Sequence, residues 1–321
     1  MQIKARLFAS LLAAAAASLP LSAVAQAPIR LIIGGPAGGN SDLAARLASE
    51  KLGQAMGTTV VVENRPGAGG GIAVEAVKNA KPDGTVVGVI NAINTANETL
   101  TRDKGFNLLS DVEPVGLYVW LANVLIVTPA IPAKSVTELV GVLKARPMTD
   151  YASGGSGSPG HLSGETFKLR TGVAMTHIPY KGAPPAVLSV ITGETSLMFS
   201  TASAALPQIK AGKVKALAVT SKSRLAELPD VPTLAEAGFG SIDVADWIGF
   251  VVPKGTPNDV KQKLHQALSA AYADPAVREK LEKSTMQAVQ PPLGPAAFGE
   301  FLAKDVAKWA KTIQEANIKA D

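Results

Sequence analysis

The stretch YASGGSGSPGHLSGETFKLR, from Tyr151 to Arg170, places a run of glycine and serine between a short apolar segment and a helix-like segment. The N-terminus of a helix has unpaired N–H groups and a partial positive charge, so it is a ready site for an anion. Glycine lets backbone N–H groups approach an oxyanion because no Cβ stands in the way. The stretch therefore predicts an anion site where a loop meets a helix.

Strand-like and helix-like segments alternate along the rest of the chain. The strand-like runs include IRLII (29–33), TTVVVE (58–63) and TVVGVI (85–90), and the order starts again with NVLIVTP (123–129). Short apolar strands that are joined by helices indicate an α/β fold with a parallel sheet.

The restart of this order predicts two α/β lobes. We expect lobe 1 to comprise residues 28–122 and 224–321, and lobe 2 to comprise residues 123–223. The helices predicted at 257–272 and at about 296–317 would then cover lobe 1. Two chain crossings form a hinge, and a cleft between two such lobes is a common place for a small ligand.

Four loops rich in Gly, Ser or Pro follow predicted strands, at 34–42, 64–71, 153–161 and 179–185. In an open α/β sheet, ligands bind outside the carboxyl ends of the strands, where these loops lie. Serine hydroxyls in the loops add hydrogen-bond donors. A tight βα turn also needs glycine for its own geometry, but four such loops on one edge favour a carboxylate ligand.

Other site chemistries have weaker support. The chain has no Cys and only three His, which lack the spacing of a zinc site, so we expect no metal and no cofactor. The spacing of Gly155, Gly157 and Gly160 matches G-x-G-x-x-G, but no acidic residue ends the next strand, and there is no Walker motif. No G-x-S-x-G elbow is present. A catalytic set of serine, His161 and Asp42 stays open as an alternative.

The N-terminus has the pattern of a secretory signal peptide in residues 1–25. Lys4 and Arg6 precede a short apolar core, and an A-x-A cleavage site ends at Ala25. We therefore expect an exported, periplasmic protein, which argues against chemistry that depends on ATP or NAD. The net charge of +5 is spread along the sequence and aromatic residues make up only 5%, so we expect no nucleic-acid partner.

The ordered set of motifs resembles the Bug family, the extracytoplasmic solute receptors of tripartite tricarboxylate transporters. It includes PAGGNSD, VVVENRPGAGGGIA, YASGGSGSPGHLSGETFK, HIPYKG and LPDVPTLAEAG, and it covers essentially the whole chain after the signal peptide. The resemblance implies a two-lobed type II periplasmic-binding-protein (Venus flytrap) fold with the ligand in the cleft. It also implies capture of a carboxylated solute and delivery to membrane permease subunits.

The loops and the resemblance together predict a set of ligand-binding residues. They are Gly38, Gly39, Ser41, Asp42, Gly67, Ser153, Ser156, Gly157, Ser158, His161, Tyr180, Lys181, Ser200 and Thr201.

Three positions depart from the family pattern. Gly35 stands where the family usually has an aromatic residue, Gly71 where Asn is frequent, and Ser200 where Asp is common. The first change leaves room in the cleft, and the third removes a negative charge that would pair with an amino group. We therefore expect a ligand that is bulkier or less cationic than an amino acid, such as a dicarboxylate or an aromatic acid.

The sequence thus favours a monomeric binding protein that carries out no chemistry. A secreted serine-dependent hydrolase is the alternative from a different class. A third possibility is a solute sensor whose closed form acts on a signalling partner.

Overall fold

The computed structural model describes residues 27–101, 105–146, 149–242 and 244–318, so the predicted signal peptide lies outside the described residues. The strands are β1 (Ile29–Ile33), β2 (Val60–Asn64), β3 (Val86–Asn91), β4 (Val112–Leu121), β5 (Asn123–Val127), β6 (Thr149–Ser153), β7 (Met175–Pro179), β8 (Leu197–Thr201), β9 (Lys215–Val219), β10 (Asp246–Pro253) and β11 (Met286–Leu293). The helices are α1 (Asn40–Met56), α2 (Gly71–Lys78), α3 (Ala92–Leu100), α4 (Leu108–Asp111), α5 (Val136–Ala145), α6 (Pro159–Thr171), α7 (Ala183–Thr192), α8 (Ala202–Lys210), α9 (Asn258–Ala273), α10 (Pro275–Lys283) and α11 (Pro295–Glu315).

Two sheets organise these elements. The first has the order β11-β4-β10-β3-β1-β2, and the second has the order β7-β6-β8-β5-β9. Apolar clusters cover both faces of each sheet, as expected when helices pack on both sides. Ser135 is the N-cap of helix α5, since its hydroxyl accepts a hydrogen bond from the backbone N–H of Glu138.

The expectation of a parallel sheet is only partly right, because both sheets are mixed. β1 runs parallel to β2 and β3, and β6 runs parallel to β7 and β8. In contrast, β10 is antiparallel to β3, and β5 is antiparallel to β8. β5 and β10 are the strands that follow the two crossings. After each crossing the chain enters the new sheet at the edge that borders the cleft. The entering strand therefore runs away from the cleft, whereas the parallel strands of that sheet run towards it.

The chain passes from the first sheet to the second at Ala122, between β4 and β5, beside the predicted start of lobe 2 at residue 123. The return crossing lies later than residue 224. Leu225 and Leu228 pack in a core of the second sheet, and a bridge pairs Val219 with Thr233. We therefore propose a revised boundary for lobe 2 just before Asp246. Hydrophobic periodicity gives no signal here because this returning segment has no regular helix or strand.

A buried cluster of polar side chains joins α11, α3 and β10 beside the crossings. Oδ2 of Asp305 accepts hydrogen bonds from the hydroxyl of Thr95 at 2.6 Å and from Nε1 of both Trp247 and Trp309 at 3.1 Å. Its Oδ1 pairs with Lys308 at 2.7 Å. Full pairing is what makes a buried carboxylate tolerable, so we interpret this cluster as structural.

Both lobes meet at α11. Trp309 and Ile313 of this helix belong to a core cluster of the second sheet, whereas Phe298 and Leu302 pack against the first. Within the described ranges, no helix has the length and apolar character that crossing a membrane requires.

The buried carboxyl group of Asp246 should make the stability of the folded protein depend on pH. Burial raises the pKa of Asp246 to about 6, and Asp305 acts in the same direction. The folded state therefore retains this proton above the unfolded pKa of about 3.9, and stability falls as the pH rises between those values. At neutral pH the buried charge costs up to about 3 kcal/mol. We expect D246N to raise the Tm at pH 7.5 and to leave it nearly unchanged below pH 4.

Asp305 provides the matched control for this experiment. D305N should lower the Tm at pH 7.5, because it removes the buried negative charge that pairs with Lys308 at 2.7 Å. A D246N protein that melts lower than the wild type at pH 7.5 would contradict the assignment of Asp246 as a destabilising buried charge.

Candidate functional site

Two adjoining cavities lie where the glycine loops of the two lobes meet. One, of about 260 Å³, lies within lobe 1, and we call it the lobe-1 cavity. The other, of about 440 Å³, has walls from both lobes, and we call it the inter-lobe cavity. Gly69 and Ile93 line both, so the two spaces are neighbours. Another cavity, of about 340 Å³, lies between residues 224–229 and 282–287, and none of the predicted site residues lines it.

The lobe-1 cavity lies at the carboxyl ends of β1, β2 and β3. Its walls come from the first glycine loop, the second glycine loop and the start of α3. The two loops touch at their backbones, since a Cβ built on Gly34 would lie 2.5 Å from Cα of Gly70. Such an approach requires glycine at position 34, so the sequence GGPAGG fixes the shape of this cavity.

Asp42 lies under the first loop rather than in the cavity. Its side chain is buried, and Oδ2 accepts hydrogen bonds from the backbone N–H of Gly38 at 2.9 Å and from Nε of Arg46 at 2.9 Å. Burial acts to raise the pKa of Asp42, but the bonds from Arg46 and Gly38 outweigh it and hold that pKa below its usual value. The carboxylate thus holds the loop in place, and Ser41, its neighbour, faces the cavity.

The loop of lobe 2 lines the inter-lobe cavity through residues 154–158. Ser158 is the N-cap of α6, and its hydroxyl accepts from the backbone N–H of His161 at 3.4 Å. Gly157 has a φ of 71°, in the left-handed region that favours glycine. A Cβ built on Gly157 would lie 2.9 Å from Cδ1 of Leu100, so α3 of lobe 1 packs directly against this loop.

A pair of stacked histidines supports the loop from behind. The rings of His161 and His177 are 3.7 Å apart and nearly parallel, with 6° between their planes. The backbone N–H of Gly157 donates to Nδ1 of His161 at 3.0 Å, so that nitrogen has no proton. The hydroxyl of Ser153 bonds to Nε2 of His177 at 2.6 Å and also contacts Gly155. These contacts fix the loop backbone.

The predicted site residues divide into two groups by position. Those that line one of the two cavities are Ser41, Gly67, Ser156, Gly157 and Ser158. Those that line neither are Gly38, Gly39, Asp42, Ser153, His161, Tyr180, Lys181, Ser200 and Thr201.

The predicted residues that line neither cavity include both buried and exposed side chains. Tyr180 packs its ring against a core of the second sheet, and its hydroxyl is buried without a partner among the described atoms. Lys181 is exposed. The hydroxyl of Ser200 is buried and donates to the backbone carbonyl of Thr201 at 3.2 Å.

Helix α3 supplies a wall that sequence reasoning missed. Asn91, Asn94 and Ile93 line the lobe-1 cavity, and Asn97 and Leu100 line the inter-lobe cavity. The signal was present, since the three Asn recur every three residues directly after a strand. Asn is a weak helix former, and the segment NAINTANETL is short and rich in polar residues, so it does not stand out as a helix.

The two cavities share one electrostatic property. No Asp, Glu, Lys, Arg or His is among the described residues that line them. A carboxylate bound there would be held by neutral donors, which are backbone N–H groups, serine hydroxyls and Asn amides. An ammonium group would find no carboxylate partner in the lining.

The serine chemistry of a hydrolase finds little geometric support here. Ser153 pairs with a histidine but its side chain is fully buried, at 0% exposure, so a substrate has no access to it. Nδ1 of His161 faces a backbone N–H instead of a serine hydroxyl. Across the described ranges, no cluster of His, Asp and Glu has the arrangement of a metal site.

Comparison with known proteins agrees with this architecture. Residues 44–318 match the family model described as "Tripartite tricarboxylate transporter family receptor". Protein BugT of Bordetella pertussis is 32% identical over 296 residues, which are 91% of this chain and 90% of BugT. The solved structure of the periplasmic binding protein BugD is 33% identical with a TM-score of 0.75, covering 92% of this chain and 99% of BugD.

A further solved structure, R. palustris Rpa4515 with adipate, is 30% identical with a TM-score of 0.77. The match covers 92% of this chain and 98% of that one. The prediction of a two-lobed α/β periplasmic-binding-protein fold is therefore confirmed.

The close approach of the glycine loops can be tested with two adjacent substitutions. Gly34→Ala would place a methyl group against the backbone of Gly70, and overpacking of this kind costs about 1–3 kcal/mol. Gly35→Ala is the control, because a Cβ built there has no atom within 4 Å. In urea denaturation we expect a loss of stability for the first variant and a change within about 0.5 kcal/mol for the second. Equal losses would refute the proposed packing.

Proposed function

We propose, since the chain belongs to the family of tripartite tricarboxylate transporter receptors, that it captures a small carboxylated solute in the periplasm and delivers it to the permease subunits of such a transporter. The observation that supports this proposal most directly is the inter-lobe cavity. Its walls are the glycine loop of lobe 2 and α3 of lobe 1, so a solute there would contact both lobes at once. Contact with both lobes is what couples ligand binding to closure of a two-lobed receptor.

The carboxylate would bind at the loop formed by residues 154–158. This loop lies at the N-terminus of α6, where the helix dipole favours negative charge. The pinned backbone of Gly157 and the small side chains around it allow close approach. Ser156 and Ser158 would supply hydroxyl donors beside it.

A dicarboxylate or an aromatic acid fits the rest of the cleft better than an amino acid does. The described lining residues include no acid that could pair with an ammonium group. The side chains of Ile93 and Leu100 offer an apolar stretch next to the anion site. A similar protein was solved with adipate, which has this two-ended, apolar-centred character.

We also propose that the protein binds its solute without catalysing a reaction. The family consists of solute-binding receptors, and the serine and histidine contacts described above hold the loop instead of activating a nucleophile. Export through the predicted signal peptide would bring the receptor to the periplasm as a monomer. Its partner would be the membrane permease.

Native mass spectrometry of the purified mature protein, followed by calorimetric titration, tests the proposal. The panel should contain C3–C8 monocarboxylates, dicarboxylates and aromatic acids, with aspartate and glutamate as competitors. We expect a one-to-one complex with a dicarboxylate or an aromatic acid. Tightest binding of aspartate or glutamate would refute the ligand class, and no binding across the panel would refute a carboxylate receptor.

Substitution of the loop serines separates a receptor from a hydrolase. Ser156→Ala and Ser158→Ala should each weaken binding of the panel ligand by about 10-fold or more, the usual value of a hydrogen bond to a charged group. Ser158→Ala should also lower the Tm, because it removes the N-cap of α6. Ser110→Ala, on an exposed position of α4, serves as the control. Turnover of ester substrates by the wild type that either loop variant abolishes would contradict the receptor proposal.

A further inference from the structure

Three asparagines form a stripe along one face of α3. Asn91, Asn94 and Asn97 follow each other at intervals of three residues, which places them on the same side of a helix. All three line the cavities described above. The stripe therefore runs from the lobe-1 cavity to the inter-lobe cavity.

The first and third asparagines use their amide groups to hold the glycine loops. Nδ2 of Asn91 donates to the hydroxyl of Ser41 at 3.3 Å. Nδ2 of Asn97 donates to the carbonyl of Gly69 at 2.9 Å. These two bonds tie α3 to the first and the second loop, so both residues have a structural task that accounts for their amides.

Asn94 differs from both because its amide nitrogen has no protein partner. Its Oδ1 accepts from the backbone N–H of Asn91 at 2.9 Å, as part of the capping box that begins α3. That bond fixes the orientation of the amide and turns Nδ2 away from it. The side chain is only 6% exposed, yet no described residue accepts a hydrogen bond from Nδ2.

The unpartnered nitrogen is at the cavity wall. Asn94 lines the lobe-1 cavity, and its Nδ2 would lie 2.9 Å from a Cβ built on Gly70. Glycine at position 70 therefore keeps the space beside this nitrogen open. Nδ2 is not among the fully buried side-chain atoms that lack a partner, so this nitrogen is accessible from the cavity. A polar group in such a place nearly always finds a partner, which here would be water or a bound ligand.

We propose that Asn94 binds the distal end of the solute, by donating a hydrogen bond from Nδ2 to an oxygen of that end. This inference rests on the receptor function proposed above. Because Oδ1 is already engaged by the helix cap, Asn94 can offer the ligand only donors. The distal group is consequently an acceptor, such as a carboxylate or an amide carbonyl, and not an ammonium.

The chemistry of the solute follows from the order of contacts along α3. One carboxylate binds at residues 154–158, an apolar chain passes Ile93 and Leu100, and a second oxygen-bearing group reaches Asn94. An elongated dicarboxylate or its half-amide satisfies both ends. A plain monocarboxylate of equal length leaves the Asn94 amide without an acceptor.

The test compares three probes that differ only at the distal end: adipate, its half-amide adipamate, and hexanoate. Titration calorimetry at pH 8 should show that the wild type prefers adipate and adipamate to hexanoate. N94A should reduce this preference by about 10-fold or more, the usual range for a hydrogen bond to a charged or strongly polar acceptor. N94D retains an oxygen for the helix cap but replaces the donor with a charge, so it should reject adipate more strongly than adipamate.

N97D is the matched control, because it adds the same charge one turn further along α3. It should weaken all three anionic probes by a similar factor and leave the preference for adipate over hexanoate intact. Melting curves of each variant verify that α3 remains folded.

Two outcomes would overturn the proposal in distinguishable ways. If the wild type binds the probes but N94A and N94D keep its preference for adipate over hexanoate, Asn94 is a structural cap whose amide is satisfied by water. If the wild type binds none of the three probes, the dicarboxylate function fails and the Asn94 assignment fails with it.

Discussion

The buried carboxylate of Asp305 holds together the three elements on which the cleft depends. It accepts hydrogen bonds from α3, from the start of β10 and from its own helix α11, and Lys308 balances its charge. α3 provides one wall of both cavities, and β10 follows the return crossing. Because the bond to Thr95 joins α3 directly to α11, a helix with few apolar residues of its own keeps a fixed position. The geometry of the candidate site thus depends on a cluster that lines neither cavity.

Sequence reasoning succeeded where a single local pattern determines the structure. Apolar runs located β1 and β5, and the Gly- and Ser-rich loops after β1 and β6 were expected at the cleft. Sequence reasoning failed where contacts between distant parts of the chain determine the structure. Strand direction depends on which edge the chain enters, so β10 and β5 were not expected to be antiparallel. β11 contains two prolines and pairs only with β4, at the edge of the sheet, which hides it from any pattern of alternating residues.

For the candidate site, sequence patterns located the loops but did not show which of their side chains line a cavity and which are buried beneath the loop. Asp42 and His161 belong to the predicted loops, yet neither lines the cavities and each accepts a hydrogen bond from a backbone N–H of its own loop. A motif cannot distinguish a side chain that contacts a ligand from one that shapes the backbone around it. Both kinds of residue are needed, because backbone N–H groups bind an anion well only when the loop that presents them is rigid.

The neutral lining of the cleft has a consequence for how the receptor closes. Among the described residues neither cavity wall contains a cation, so the part of the wall that they form would hold a solute by the neutral donors that reach it together. Those donors come from both lobes only while Leu100 lies against Gly157. A solute that engaged the lobe-2 loop and α3 at once, as proposed above, would therefore bind this arrangement more tightly than an arrangement with separated lobes. That difference in affinity is the free energy available to stabilise the closed form that a transporter would recognise.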